Sequence, residues 1–378
     1  MKKCVVVSDS FKGTVSSREI CEIAQRVIPR HFPACEVVCI PVADGGEGTV
    51  DCFVQAMGAQ RVGVTVTNAL GEKSAAAYAR LGELAIIEMA AAAGLPQVGA
   101  LRCPGTATTY GVGELIAHAV DSGCRKILLG LGGSATNDGG CGCAAALGVG
   151  FLDADGQSFV PVGDTLGRIA RIDTAEAEAL LRSVEITVMC DVTNPLYGPT
   201  GAAYVFAPQK GADAEKVKSL DAGLRHFGDV IRSQYGLDVS AMPGAGAAGG
   251  MGAGCVALLG GTIQSGIDAV LDVTGFDRQL EGADLVITGE GRIDSQSADG
   301  KVVSGVARRT RAKGVPLIAI AGGIADSAGA VYDIGVSAMF PTDRAALPVD
   351  MLGARSPDDY EATLNDIMSL IAIAERFA

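Results

Sequence analysis

Lys3-Cys-Val-Val-Val-Ser8, followed at once by Asp9-Ser-Phe-Lys-Gly13 and then by Ser16-Ser-Arg-Glu19, sets the grammar of this chain. Six residues with a continuous apolar centre read as a short buried strand of a parallel sheet. Ser16 with Glu19 three positions later forms a capping box, and Ile20, Ile23, Ala24 and Val27 share one helical face, so a helix is expected from about Ser16 to His31. A second strand, Glu36 to Pro41, leads to the loop Ala43-Asp-Gly-Gly-Glu-Gly48. Strand, loop, helix, strand, loop is the repeating unit of an α/β sheet.

The same order returns late in the chain. Strand Asp284 to Thr288 is followed by the loop Gly289-Glu-Gly-Arg-Ile-Asp294, helix Lys301 to Lys313, strand Pro316 to Ala321 and the glycine turn Gly322-Gly323. A strand near Ala338 to Pro341 and a helix from about Asp358 complete the set, and these five strands predict one open, mostly parallel sheet. The middle of the chain differs. Arg61 to Thr67, Ser74 to Arg80 and Leu84 to Glu88 read as adjacent strands joined by turns at Gly71 and Gly82, and helix Gly111 to Ser122, strand Lys126 to Leu131 and strand Glu185 to Cys190 follow. The expectation is an α/β protein of two domains: residues 1–67 with 281–378, and a mixed-sheet α/β domain, 68–280, inserted between them. A chain of 378 residues is long enough for two cores.

Composition narrows the function. The 11 cysteines are scattered with no CxxC pair, a pattern suited to reduced thiols and a cytoplasmic location. His31, His118 and His226 are the only histidines and lie far apart, which argues against a zinc site. Val239 to Ile267 carries no charge and exceeds the roughly 20 residues of a membrane crossing. Its run Pro243-Gly-Ala-Gly-Ala-Ala-Gly-Gly-Met-Gly-Ala-Gly-Cys255 has too little apolar surface for that and reads as a buried loop entering a helix near Cys255. A net charge of -13 without a basic cluster opposes binding to nucleic acid or an anionic membrane. An anionic small molecule is still accessible through backbone amides, a few placed cations or a divalent ion.

Two glycine-rich loops are candidate anion cradles. Leu131-Gly-Gly-Ser-Ala-Thr-Asn-Asp-Gly-Gly140 leaves a strand and enters a small-residue helix, Cys141 to Leu147, with Ser134, Thr136 and Asn137 as donors and Asp138 able to hold a metal ion or a hydroxyl. A strand-to-helix turn capped by Asp138 or Asn137 is the alternative. Gly244 to Gly254 is the second loop; it lacks the GxxxxGK[ST] pattern and any dinucleotide fingerprint. Carboxylates follow the ends of strands in Asp9-Ser10, Asp44-Gly-Gly-Glu47, Asp191-Val-Thr-Asn194 and Glu290-Gly-Arg-Ile-Asp294, where open α/β sheets bind ligands. Carboxylates for a base and for Mg²⁺, with Lys12, Arg292 and Lys301 as cations, are the inventory of phosphoryl transfer. Each also has a structural reading, as turn caps, solvated lysines or an Arg292–Asp294 pair.

Together, Asp9-Ser-Phe-Lys-Gly13, Pro41-Val-Ala-Asp-Gly-Gly-Glu-Gly-Thr49, Leu131–Gly140, Cys190-Asp-Val-Thr-Asn-Pro-Leu196, Pro208-Gln-Lys-Gly-Ala212 and Ile287-Thr-Gly-Glu-Gly-Arg-Ile-Asp-Ser-Gln296 resemble the bacterial type I glycerate kinases over nearly the full length. The resemblance implies a flavodoxin-like domain with a second α/β domain inserted into it. It also implies phosphorylation of D-glycerate to 2-phosphoglycerate with ATP and Mg²⁺. On that expectation Gly132, Gly133, Ser134, Thr136 and Asn137 bind ATP phosphates, and Ser10, Lys12, Arg292 and Asp294 bind the hydroxy acid. Asp191 is the expected base, with Asp44 its rival and Lys12 assisting, and Asp191 and Glu290 are the expected Mg²⁺ ligands. Phosphorylation at the 3-hydroxyl is the alternative regiochemistry; a nicotinamide-dependent oxidoreductase and a hydroxy-acid sensor are the rival classes. The oligomeric state, monomer or homodimer, stays open.

Overall fold

The structure, a computed structural model, describes residues 1–11, 14–40, 42, 48–298, 301–344 and 355–377. Their contacts divide the chain into two compact units, Met1–Ala43 with Ile267–Ala378, and Asp44–Gly266. The strands described are β1 (Lys3–Ser8), β2 (Glu36–Cys39), β3 (Gln60–Thr67), β4 (Lys73–Leu81), β5 (Leu84–Glu88), β6 (Lys126–Gly130), β7 (Gly150–Leu152), β8 (Arg171–Asp173), β9 (Glu185–Met189), β10 (Thr262–Gln264), β11 (Leu285–Ile293), β12 (Leu317–Ile324) and β13 (Ala338–Pro341).

The first unit holds a five-stranded sheet in the order β13-β12-β11-β1-β2, with every neighbouring pair parallel. Renumbered within the unit this is the 2-1-3-4-5 order of the flavodoxin fold. The chain leaves β1 for β2 on one side and returns as β11 on the other, so the topological switch lies where Ser8 pairs with Gly289. Cys4 to Val7 are fully buried because helices cover both faces. Val5 and Val7 pack with Val303 and Val306 of the helix Val302–Lys313, while Cys4 and Val6 pack with Ile20 and Ile23 of the helix Ser17–His31 and with Tyr360 and Leu364 of the helix Ser356–Ala374. Each such aliphatic side chain contributes about 1.5–3 kcal/mol on burial. The expected capping box is formed: Glu19 N–H donates to Ser16 Oγ at 3.1 Å and Ser16 N–H to Glu19 Oε2 at 2.8 Å.

The second unit carries a six-stranded mixed sheet, β10-β9-β6-β5-β4-β3. β5, β6, β9 and β10 are parallel, whereas β3 and β4 are added as antiparallel hairpins through Gly71 and Gly82, both with positive φ. A two-stranded ribbon of β7 and β8 and the helix Ala214–Tyr235, which buries Leu220, Leu224, Phe227 and Ile231, complete its core.

Three expectations change. The division falls at 43/44 and 266/267 instead of 67/68 and 280/281, because β3 is hydrogen-bonded along its whole length to β4 of the second unit. The segment Gly289 to Asp294, expected as a loop, continues β11 to Ile293. The parallel ladder runs on through Glu290 with Ala321 and Arg292 with Gly323, so Gly322-Gly323 is strand as well. A glycine is required at 289 for close approach, since a Cβ there would lie 2.0 Å from the Ile320 carbonyl oxygen. The glycine run 244–254 is helical from Ala247, interrupted by a left-handed turn at Ala248, Gly249 and Gly250, rather than a loop up to Cys255. Among the described residues no helix is long and apolar enough to cross a membrane.

Candidate active site

At the carboxyl ends of β6 and β9, within the second unit, lies a cavity of about 290 Å³. That is close to the small end of the range for ligand sites, about 300–1,000 Å³. Its wall is built from Leu131, Gly132, Gly133 and Ser134 after β6, from Met189, Cys190, Asp191 and Val192 after β9, from Gln209 and Lys210, and from Ala247 and Ala248, with Leu95 and Phe206 adding apolar surface. The two strands pair in parallel with Gly130 opposite Met189, which is why loops about 60 residues apart in sequence emerge side by side.

The loop after β6 is held as a third partner of the segment before it. Leu95 N–H donates to the Gly133 carbonyl and Ala135 N–H to that of Ala93, both at 2.9 Å. Asp138 is fully buried and accepts from Thr109 N–H and Thr109 Oγ1, each at 2.8 Å, and from the amides of Gly140 and Gly142. Burial raises its pKa and these four donors oppose the rise. Thr109 Oγ1 also accepts from Cys143 N–H, so amides at the start of the helix Cys141–Ala146 are already committed inside the protein. The expected use of this helix N-terminus for an anion is therefore corrected: Asp138 plays the capping role there.

Lys210 is 2% exposed. Its ammonium donates to Ser134 Oγ and to the Thr136 carbonyl, both at 2.7 Å, and burial lowers its pKa from 10.5 to about 7, partly offset by the charge of Asp138. Lys210 lies in the motif Pro208–Ala212, and the sequence alone assigns it no role. Thr136 and Asn137 are buried, and Thr136 Oγ1 and both polar side-chain atoms of Asn137 lack a partner. They lie behind the cavity wall rather than on it. Among the described residues Ala248 is the one non-glycine with positive φ, 52°, and it lies on that wall. Beside it Gly249 (φ 71°) allows a backbone contact: a Cβ there would stand 2.1 Å from the Thr136 carbonyl oxygen.

The first unit gathers a second set at its switch point. Asp9 follows β1, and its Oδ1 accepts from Ser10 N–H at 2.7 Å. Glu290 is 8% exposed on β11, with Oε1 unpartnered and Oε2 4.0 Å from Lys301 Nζ. Burial raises its pKa, and the carboxylates of Asp9 and Asp294 add to the rise against Ser297 and Lys301. Arg292 is exposed, and among the described residues it forms no ion pair; Asp294 instead accepts from Gln296 N–H at 2.9 Å.

The Glycerate kinase family profile matches residues 4–372. A glycerate kinase of Bacillus cereus is 45% identical over 98% of each chain, and the glycerate 2-kinase of Escherichia coli K12 is 42% identical over 100% of each. A crystal structure assigned to glycerate kinase 2 from Salmonella typhimurium LT2 superposes with a TM-score of 0.87 at 38% identity, covering 99% of each chain. The chain belongs to the glycerate kinase family.

In this family member Gly132, Gly133, Ser134 and Asp191 line one cavity. Ser10, Glu290, Arg292 and Asp294 are collected in the other unit. Lys12 and Asp44 lie outside the described residues, as do Gly13 and Glu47. Among the described residues no group of three or more His, Cys, Asp or Glu side chains is arranged to hold a metal ion. Asp191, whose Oδ1 accepts from Gly266 N–H at 2.7 Å, is a single carboxylate on the cavity wall. One carboxylate is a usual protein contribution to Mg²⁺ that arrives on a nucleotide, where phosphates and waters supply the rest.

Proposed function

We propose that this chain transfers the γ-phosphoryl group of ATP to the 2-hydroxyl of D-glycerate, giving 2-phosphoglycerate and ADP. The observation that carries the reading is the cavity wall itself, where side-chain-free Gly132 and Gly133, the Ser134 hydroxyl, a buried lysine and Asp191 meet at the carboxyl ends of adjacent parallel strands. The E. coli relative named glycerate 2-kinase, aligned over its whole length, supports the acceptor and the position of phosphorylation.

Gly132 to Ser134 receive the nucleotide phosphates, and Leu95, Val192 and Phe206 offer apolar surface to the rest of it. Asp191 orients the acceptor hydroxyl and takes its proton, and it also serves a Mg²⁺ ion carried by ATP, whose part is to neutralise charge on the transferring phosphoryl group. Glu290 is the second carboxylate assigned to the metal. Ser10, Arg292 and Asp294 hold the hydroxy acid: the guanidinium, outside any ion pair among the described residues, suits its carboxylate, and the polar pair its hydroxyls. Lys12 and Asp44 keep the roles assigned from sequence, while Thr136 and Asn137, buried behind the cavity wall, back the loop that receives the phosphates. The eleven free cysteines support placing the enzyme in the reducing cytoplasm.

The test supplies ATP, Mg²⁺ and a panel of small hydroxy acids, follows ADP release and locates the phosphate by phosphorus NMR. ADP is expected in step with D-glycerate and the phosphate on the secondary carbon. No turnover with D-glycerate overturns the reading, and phosphate on the terminal carbon overturns the regiochemistry alone.

A further inference from the structure

A lysine buried to 2% exposure is costly unless it is neutral or faces an anion. Among the described residues Lys210 has neither a carboxylate partner nor a full set of acceptors. Its ammonium can donate three hydrogen bonds, and two are taken, by Ser134 Oγ and the Thr136 carbonyl. Asp138 acts on it only through space, because that carboxylate is engaged by Thr109, Gly140 and Gly142. What remains in front of Lys210 is the cavity, which it lines together with Gly132, Gly133 and Ser134.

Both acceptors of Lys210 belong to the loop assigned to the nucleotide phosphates, so the lysine and the loop form one rigid assembly. That loop also holds Thr136 Oγ1 and the Asn137 amide buried without partners, and two glycines leave its backbone open to a bulky anion. A chain without GxxxxGK[ST] has no P-loop lysine. Lys210 reaches the same kind of place from a loop 76 residues beyond Ser134.

We propose that Lys210 is the cation that receives the terminal phosphates of the nucleotide, filling for this fold the place of a P-loop lysine. The proposal rests on the reading of the cavity as the ATP site. It has a signature that a structural lysine lacks. In the free protein Lys210 titrates near 7; a polyphosphate beside it raises that value, so binding at pH 8 draws a proton from solution.

The experiment is calorimetry of the whole enzyme with ADP, with inorganic tripolyphosphate and with D-glycerate, at pH 8, in buffers of different ionisation enthalpy. ADP is expected to bind with uptake of about one proton, tripolyphosphate with a smaller uptake because it still carries a proton of its own at pH 8, and D-glycerate with none. Lys210→Met is expected to bind both phosphates about 100-fold more weakly and without proton uptake, with KM for ATP raised and KM for D-glycerate unchanged. Lys210→Arg should recover part of the affinity. Proton uptake by the unmodified enzyme requires no variant to fold, so its absence with ADP overturns the proposal by itself. A folded Lys210→Met enzyme that binds ADP as tightly as the parent overturns it too, and so does proton uptake that accompanies D-glycerate instead. If the enzyme binds tripolyphosphate with proton uptake yet never turns over ATP, the assigned reaction fails and the phosphate role of Lys210 stands.

Discussion

The two units hold their polar groups in opposite ways. In the second, the charged groups of the loop after β6 are engaged: Asp138 is matched by four donors, Lys210 has two acceptors, and the helix start behind them is already capped, while the groups that lack a partner among the described residues, Thr136 Oγ1 and the Asn137 amide, are neutral. In the first, Glu290 keeps a buried oxygen without a partner, and Arg292 stands exposed outside any ion pair among the described residues. Charged groups engaged in advance fix geometry, which suits a cradle for phosphates. Unmatched groups instead lower stability until a ligand completes them. On the proposed reading, the second unit positions and the first presents charge for a ligand to complete.

The largest effect should come from Asp191, the carboxylate of the second unit that the network does not enclose. Asp191→Asn can still accept from Gly266 N–H, so the fold should survive. Loss of the base is expected to lower kcat by about 10³-fold. Steady-state ADP release with saturating D-glycerate and ATP measures it, and a folded variant with most of its kcat removes Asp191 from the chemistry.

Next is Asp138. Asp138→Ala leaves the buried amides of Thr109, Gly140 and Gly142 without their acceptor and removes the opposing charge that supports the Lys210 ammonium. We expect a loss of about 3 kcal/mol in chemical denaturation. A loss below about 1 kcal/mol, within the range of an ordinary surface hydrogen bond, contradicts the picture of a network built around this carboxylate.

These features differ in how far the sequence announced them. The capping box of Ser16 and Glu19, the apolar run Cys4–Val7 and the turns at Gly71 and Gly82 are local signals, and each element formed as read. The apolar segments announced the five strands of an open parallel sheet, the resemblance implied the flavodoxin-like fold, and the strand order came from the structure. Lys210 was hidden because Pro208-Gln-Lys-Gly211 looks like a solvated turn; only contacts with residues 74 and 76 positions earlier bury it. The extension of β11 was hidden because Gly289 and Gly291 are turn residues in isolation, and the ladder with β12 overrides that preference. The helix Ala214–Tyr235 did carry readable signals, Asp213 as N-cap and Gly236 in the left-handed region at its end, and was missed.

The smallest predicted effect is the sharpest test of the contrast, because its sign is unusual. Burial and the carboxylates of Asp9 and Asp294 hold the pKa of Glu290 above its ordinary value of 4.5. As pH rises past that value, the unfolded chain releases its Glu290 proton first. The folded state then binds more protons than the unfolded one, so stability falls with rising pH until the folded group ionises too, and the deficit persists at neutral pH. Glu290→Gln has no such proton to lose. It is therefore expected to melt a few degrees higher than the parent at pH 7 and to approach it near pH 4, while its kcat/KM declines because the ionised group is missing. Scanning fluorimetry from pH 4 to 8 measures the difference. Identical profiles for the two proteins would mean that the first unit compensates its buried charge as the second does, and the division between a cradle of engaged charges and a ligand-completed site would not hold.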